Sequence, residues 1–190
     1  FTLSYSGGQA DHHQIDLYDV ANALVGFHRS LALTTHLVLN GRIITQATAL
    51  KGAQILAPMP SAECWKIDAN IVKAAAVASA IYTVGTATSD SPVGHLIRSA
   101  YDYVVHETMG FHVDYEKSLG QQIEEFNQGD KNPLELSPSR LDSLSEKCEG
   151  AIKMMHRPIV GSGTASQATI SSSINGRISD FKHPLTSQTY

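Results

Sequence analysis

The feature that most constrains the fold is a long segment with helical spacing that runs from Asp16 to Gly41. Mostly apolar residues follow helical spacing along it: Leu17, Val20, Ala21, Leu24, His28, Leu31 and Thr35. Asp16 can cap the first turn, and Gly41 supplies the stop. The spacing predicts one long helix with an apolar face, on which His28 and His36 are expected as core histidines bonded to backbone.

The remaining segments predict a mixture of short strands and further helices. Strands are expected at 1–5, 43–46, 54–59 and 65–71, and a hairpin is expected over 168–181 around Asn175-Gly176. Helices are expected over 69–87, from Pro92 to Gly110, over 116–127 and from Pro138 to Pro158. The sequence therefore predicts an α+β fold, with a mostly antiparallel sheet of short strands and long helices packed on one face.

Composition favours one domain over residues 1–190, which we expect to be the N-terminal part of a longer chain. The sequence has 14 Lys and Arg against 18 Asp and Glu, a net charge of -4, so nucleic acid is not an expected partner. Its two cysteines, Cys64 and Cys148, are too few for a disulfide scaffold and favour free thiols in the cytoplasm. Cys148 lies on an apolar stripe and is expected to be inert.

The segment 69–87 is long enough to raise the question of a membrane. It consists mostly of Ala, Ser and Thr, and Lys73 lies within it. A charge near the centre of a spanning helix costs about 2.5–3.5 kcal/mol, and little Leu or Phe is present to offset that cost. A buried helix is therefore expected and no membrane partner, while a membrane-associating effector acting through 69–87 is kept as an alternative function.

Several short segments carry a family resemblance: YSGG followed by AD, GFHRSLALTTHLVLNG, LKGAQIL, SAYDYV, and HRPIV followed by GTA. Together they resemble the amino-terminal domain of an uncharacterised bacterial two-domain protein family. The resemblance spans nearly the whole chain and implies a second, β-rich domain after Tyr190. It implies no activity, ligand or catalytic residue.

Nine histidines are many for this chain, and histidine is both a common metal ligand and a common general base. His12 and His13 follow Asp11 in a predicted loop, and His112 and Asp114 alternate in a predicted strand. These four residues could gather a divalent metal ion if the two segments meet. Their spacing matches no metal motif, and a solvated loop is the alternative interpretation.

A second candidate lies on the helix that begins at Pro92. Arg98, Asp102 and His106 are four residues apart, so Asp102 could pair with Arg98 and orient or charge His106. Asp102 and His106 are therefore the candidate catalytic residues. The same spacing is typical of a solvated helix surface.

The leading functional prediction is a non-catalytic interaction or scaffold module of a bacterial intracellular protein, because core patterns and helix caps are abundant and catalytic motifs are not. Its expected partner is another protein or its own downstream domain, and self-association into a homo-oligomer is left open. The alternative is a metal-dependent hydrolase or nuclease that uses His12, His13, His112 and Asp114. No cofactor is predicted except, under that alternative, a divalent metal ion.

Overall fold

The computed structural model describes residues 1–45, 53–56, 65–73, 92–110, 114–128, 136–172 and 181–186. The helices are α1 (Leu17–Asn40), α2 (Pro92–Thr108), α3 (Gln121–Gln128), α4 (Pro138–Met155) and the short α5 (Arg157–Val160). The strands are β1 (Thr2–Ser6), β2 (Ala53–Leu56), β3 (Trp65–Asp68), β4 (Asn70–Lys73), β5 (Gln167–Ser172) and β6 (Phe181–Thr186). A 3-10 turn, Gly8–His12, follows β1, and a π-helical turn, Glu116–Gly120, leads into α3.

Helix α1 begins and ends where its sequence predicts. The Asp16 carboxylate accepts a hydrogen bond from the backbone N–H of Asp19 at 3.0 Å. Gly41 adopts a left-handed conformation, with φ of 62°, and its N–H donates to the carbonyl oxygen of Leu37. Buried His36 contacts the carbonyl oxygen of Arg42 through Nδ1 at 3.0 Å, as expected, but the prediction of a core position for His28 is wrong, because its side chain is exposed.

Among the described residues, the main sheet has four antiparallel strands in the order β3-β1-β5-β6. Along β1, Leu3 and Tyr5 are buried and alternate with residues that are less buried, so one face of the strand contributes to the core. The Tyr5 hydroxyl donates to the carbonyl oxygen of Met155, at the end of α4, over 2.7 Å. The fold is therefore α+β with helices against an antiparallel sheet, which confirms the predicted class.

Helices α1, α2 and α4 pack against one another and form one layer. This layer shares a hydrophobic core with the sheet. α1 and α4 lie close together at Gly26, where an added Cβ would fall 2.2 Å from the carbonyl oxygen of Ala151. Tyr101 on α2 is fully buried, and its hydroxyl is 2.9 Å from the hydroxyl of Ser30 on α1. Cys148 on α4 is also fully buried, and burial raises the pKa of its thiol to about 12, as an inert core cysteine requires.

The strand and the helix predicted between residues 65 and 87 agree less well with the structure. The predicted single strand 65–71 is divided between two sheets, because β3 pairs with β1 whereas β4 pairs with β2. The helix predicted over 69–87 is wrong at its start, where Asn70–Lys73 is a strand held by antiparallel pairing with Ala53–Leu56. The rest of that segment, from 74 onward, lies outside the described residues.

The C-terminal hairpin also differs from its prediction. β5 pairs with β6 in antiparallel register, with Ser172 opposite Phe181, so β6 begins at the last residue of the predicted hairpin and continues to Thr186. The predicted Asn175-Gly176 turn lies outside the described residues.

Among the helices of the described residues, none is long and apolar enough to cross a membrane.

Candidate metal centre

Helix α2 places Asp102 and His106 side by side at the border between core and solvent. Its core face carries Tyr101, Val104 and Val105, which are fully buried. Residues four apart on a helix share a face, so Asp102 and His106 come together beside that apolar stripe. Their side chains are 31% and 36% exposed, respectively, so solvent reaches both.

Strand β6 brings the third residue, His183, to the same place. His183 and Leu185 are buried, whereas their neighbours Lys182 and Pro184 are exposed. This is the alternation of a strand with one face on the core. The antiparallel register sets His183 opposite Ile170 of β5. Its imidazole therefore points to the side of the sheet on which the core lies, with its side chain only 7% exposed.

The three side chains form one compact cluster. Nε2 of His183 lies 2.5 Å from Oδ1 of Asp102, and Nδ1 of His106 lies 3.8 Å from the same oxygen. A carboxylate only accepts, so Nε2 of His183 carries the hydrogen in this arrangement. The two imidazole rings are 3.8 Å apart between centroids, and Phe181 stacks on His183 at 5.2 Å.

The electrostatic environment favours the neutral form of His106. Burial lowers the pKa of His106, and the neighbouring His183 lowers it further, while the Asp102 carboxylate opposes both. A neutral imidazole has a free lone pair, which is the form that binds a metal ion.

The cluster has the ligand types and the spacing of a metal site. One ligand atom from each of Asp102, His106 and His183 lies within 4.8 Å of the others. Tetrahedral Zn²⁺ with bonds of about 2.0–2.2 Å needs ligand atoms roughly 3.4 Å apart. The observed 2.5 and 3.8 Å lie on either side of that separation, and binding an ion through Nε2 of His183 would require that nitrogen to release its hydrogen. Two histidines with one carboxylate suit Zn²⁺ or Fe²⁺.

The predicted catalytic pair is thus brought together, although Asp102 makes its shorter contact with His183 and not with His106. His183 could not be identified from the sequence, because no spacing along the chain links it to α2. Its one local signal was the alternation of Phe181, His183 and Leu185 with the residues between them.

The other predicted ligands lie elsewhere or outside the described residues. His12 and His13 end the 3-10 turn, with exposed side chains, and that turn is anchored by the Ala10 N–H, which donates to the carbonyl oxygen of Thr164 at 3.0 Å. Asp114 is exposed, and His112 falls outside the described residues. The proposed gathering of these four ligands stays a prediction. Within the described part of the chain, Asp102, His106 and His183 are the group whose ligand atoms lie close enough together to hold a metal ion.

The fold and the cluster define an α+β domain with a carboxylate and two imidazoles between a helix and an edge strand. The chain belongs to the family described as domain of unknown function DUF7946, which matches residues 1–187. This agrees with the resemblance to an uncharacterised family. No curated protein and no solved structure matches the chain.

Proposed function

We propose that this domain binds one divalent transition-metal ion, with Zn²⁺ as the reference ion, through Asp102, His106 and His183. The observation that carries the proposal is the convergence of the three side chains from α2 and β6, which are far apart in sequence. The site replaces the set of His12, His13, His112 and Asp114 as the most favoured location for a metal ion.

The packing around the cluster supports the proposal. Tyr101 of α2 and Phe181 of β6 contact each other with ring centroids 6.2 Å apart, which holds the helix and the strand together beside the site. Phe181 also stacks on the ring of His183 and restricts its orientation. Ligands that are held in place by their surroundings lose less freedom when an ion binds.

The alternative role of the same residues is structural. The hydrogen bond from His183 to Asp102 would then tie β6 to α2 with no ion involved. The two roles predict different results when metal is added. A structural pair gives no saturable binding, whereas a metal site gives one ion per chain.

Calorimetric titration of the untagged, metal-stripped protein with Zn²⁺ tests the proposal. We expect one ion per chain, and His106→Ala should weaken binding by at least about tenfold, since even indirect supports of metal ligands contribute that much. His106 is more than one third exposed, so the variant should keep its fold, which circular dichroism checks. His28→Ala removes an exposed histidine from α1 and serves as the matched control.

Two results would overturn the assignment. One is the absence of stoichiometric binding to the wild-type protein. The other is binding that survives in His106→Ala but is lost in a variant with His12 and His13 replaced by Ala, which would return the site to the first loop.

We also propose, as a second function, the interaction module suggested by the sequence. Leu17 and Tyr18 at the start of α1 are 81% and 66% exposed, and Val160 at the end of α5 is 58% exposed. The Arg157 guanidinium lies 5.0 Å from the centre of the Tyr18 ring. Tyrosine and arginine are enriched in protein interfaces, so this surface favours another protein as partner.

A photo-crosslinking amino acid at position 18 tests this second function in cells. A defined crosslinked protein, identified by mass spectrometry, is expected from position 18 and not from the exposed control position 28 on the same helix. Equal products from both positions, or none from position 18, would contradict it.

A further inference from the structure

The candidate metal centre is closed by protein on one side and open to water on the other. His183 lies beneath the surface, with 7% of its side chain exposed. Asp102 and His106 are 31% and 36% exposed, so they form the outer rim of the cluster. An ion held among the three would meet protein on its buried side and solvent beyond the rim.

We infer that the ion retains an exchangeable coordination position, which holds water and accepts small anionic ligands in its place. This inference rests on the proposed metal binding and adds its ligand class. Structural zinc sites are closed by four protein ligands, whereas sites that act on substrates have three protein ligands and water. In the described part of the chain the cluster supplies three protein ligands. Its outer rim is exposed, so water can reach the fourth coordination position.

The charge of the site selects the class of ligand. A divalent ion with one carboxylate, from Asp102, and two neutral imidazoles, from His106 and His183, carries a net charge of +1. An anion would be attracted to this charge, whereas a cation would be repelled. The exchangeable ligand is therefore a small anion, or an anionic group at the end of a larger molecule, with an oxygen or nitrogen donor.

The geometry also limits the size of the group that enters. The Phe181 ring covers His183 on one side, with centroids 5.2 Å apart and planes only 22° from parallel. The ring of His106 lies against another side of the His183 ring, with centroids 3.8 Å apart. Entry is left to the exposed rim between Asp102 and His106, so a donor group at the end of a ligand is favoured over a broad planar one.

Co²⁺ is the probe for this inference, because its visible absorption bands report the number and type of its ligands. The full chain is loaded with Co²⁺ and titrated with sodium azide, while sodium perchlorate at the same ionic strength serves as the control. We expect the bands to shift in proportion to bound azide and to saturate, with no shift in perchlorate. His106→Ala should require at least about tenfold more Co²⁺ to reach the same bands, as its weaker metal binding implies.

The outcomes separate this inference from the proposed function. Co²⁺ bands that are present but unchanged by azide would show a closed site, which overturns the exchangeable position and leaves metal binding intact. An absence of Co²⁺ bands would overturn both. Bands that disappear on adding azide, with free Co²⁺ recovered by dialysis, would show that azide removes the ion, and would also contradict the inference.

Discussion

The contact between α1 and α4 at Gly26 makes the sharpest prediction about stability. An added Cβ would lie 2.2 Å from the carbonyl oxygen of Ala151 and 2.9 Å from Cβ of Met154. The first contact involves backbone, so it is relieved only if the helices separate by about 1 Å, which leaves gaps in a core packed near crystal density. Such overpacking costs typically 1–3 kcal/mol, and Ala regains up to about 1 kcal/mol of helix propensity.

Gly26→Ala should therefore lower the free energy of unfolding by about 1–2 kcal/mol, which corresponds to roughly 2–8 °C in Tm for a chain of this size. Gly150→Ala is the matched control, because Gly150 lies on α4 with no atom within 4 Å of an added Cβ. That substitution should stabilise the protein by up to about 1 kcal/mol. Urea unfolding measures both, and a Gly26→Ala midpoint equal to that of Gly150→Ala would refute the predicted helix contact.

Three further predictions concern buried polar groups. Although burial raises the pKa of Asp19, hydrogen bonds from Ser162 and Arg157 outweigh it and hold that pKa below its ordinary value. Asp19→Asn should thus lower the free energy of unfolding, measured with urea at pH 7, by about 1–3 kcal/mol. This difference should shrink below about pH 4, because acid protonates the wild-type carboxylate. A difference that acid leaves unchanged would contradict this. In a Cys64→Ser background, a thiol reagent at pH 8 should leave Cys148 unmodified until denaturant is added, because burial raises the pKa of its thiol to about 12; rapid labelling of the folded protein would exclude this burial. Tyr5→Phe, which removes a buried hydrogen bond to Met155, should cost about 1–2 kcal/mol in thermal unfolding, whereas Tyr18→Phe, at an exposed ring, should cost nothing measurable; equal effects would argue against the bond.

Local signals in the sequence were sufficient for α1 and for the class of fold. The cap at Asp16, the stop at Gly41 and the apolar spacing between them all act within a few residues, so they can be read without knowing the tertiary structure. His28 was misplaced because a single polar residue beside apolar neighbours does not define which side of the stripe it occupies. The exposed position shows that the core face of α1 is narrower there than the spacing indicated.

Strand pairing was the part that local reasoning could not supply. The segment from Trp65 to Ile71 alternates as if it were one strand, yet it is divided between β3, which pairs with β1, and β4, which pairs with β2. Which partner a strand selects depends on residues distant in sequence, so periodicity alone predicts strands without their order. The same limit explains why Phe181–Thr186 went unrecognised as the edge strand beside β5.

The candidate metal centre combines both cases. Asp102 and His106 were identified because helical spacing alone places them together. His183 joins them only because the register of β6 sets it opposite Ile170 and directs its side chain toward the core. A shift of one residue in that register would turn His183 to the opposite face and bring Lys182 or Pro184 inward. A lysine there would place a positive charge where the cation is proposed, and a proline would supply no ligand. Metal binding at this cluster therefore depends on the pairing of β5 with β6 as much as on the three ligands themselves.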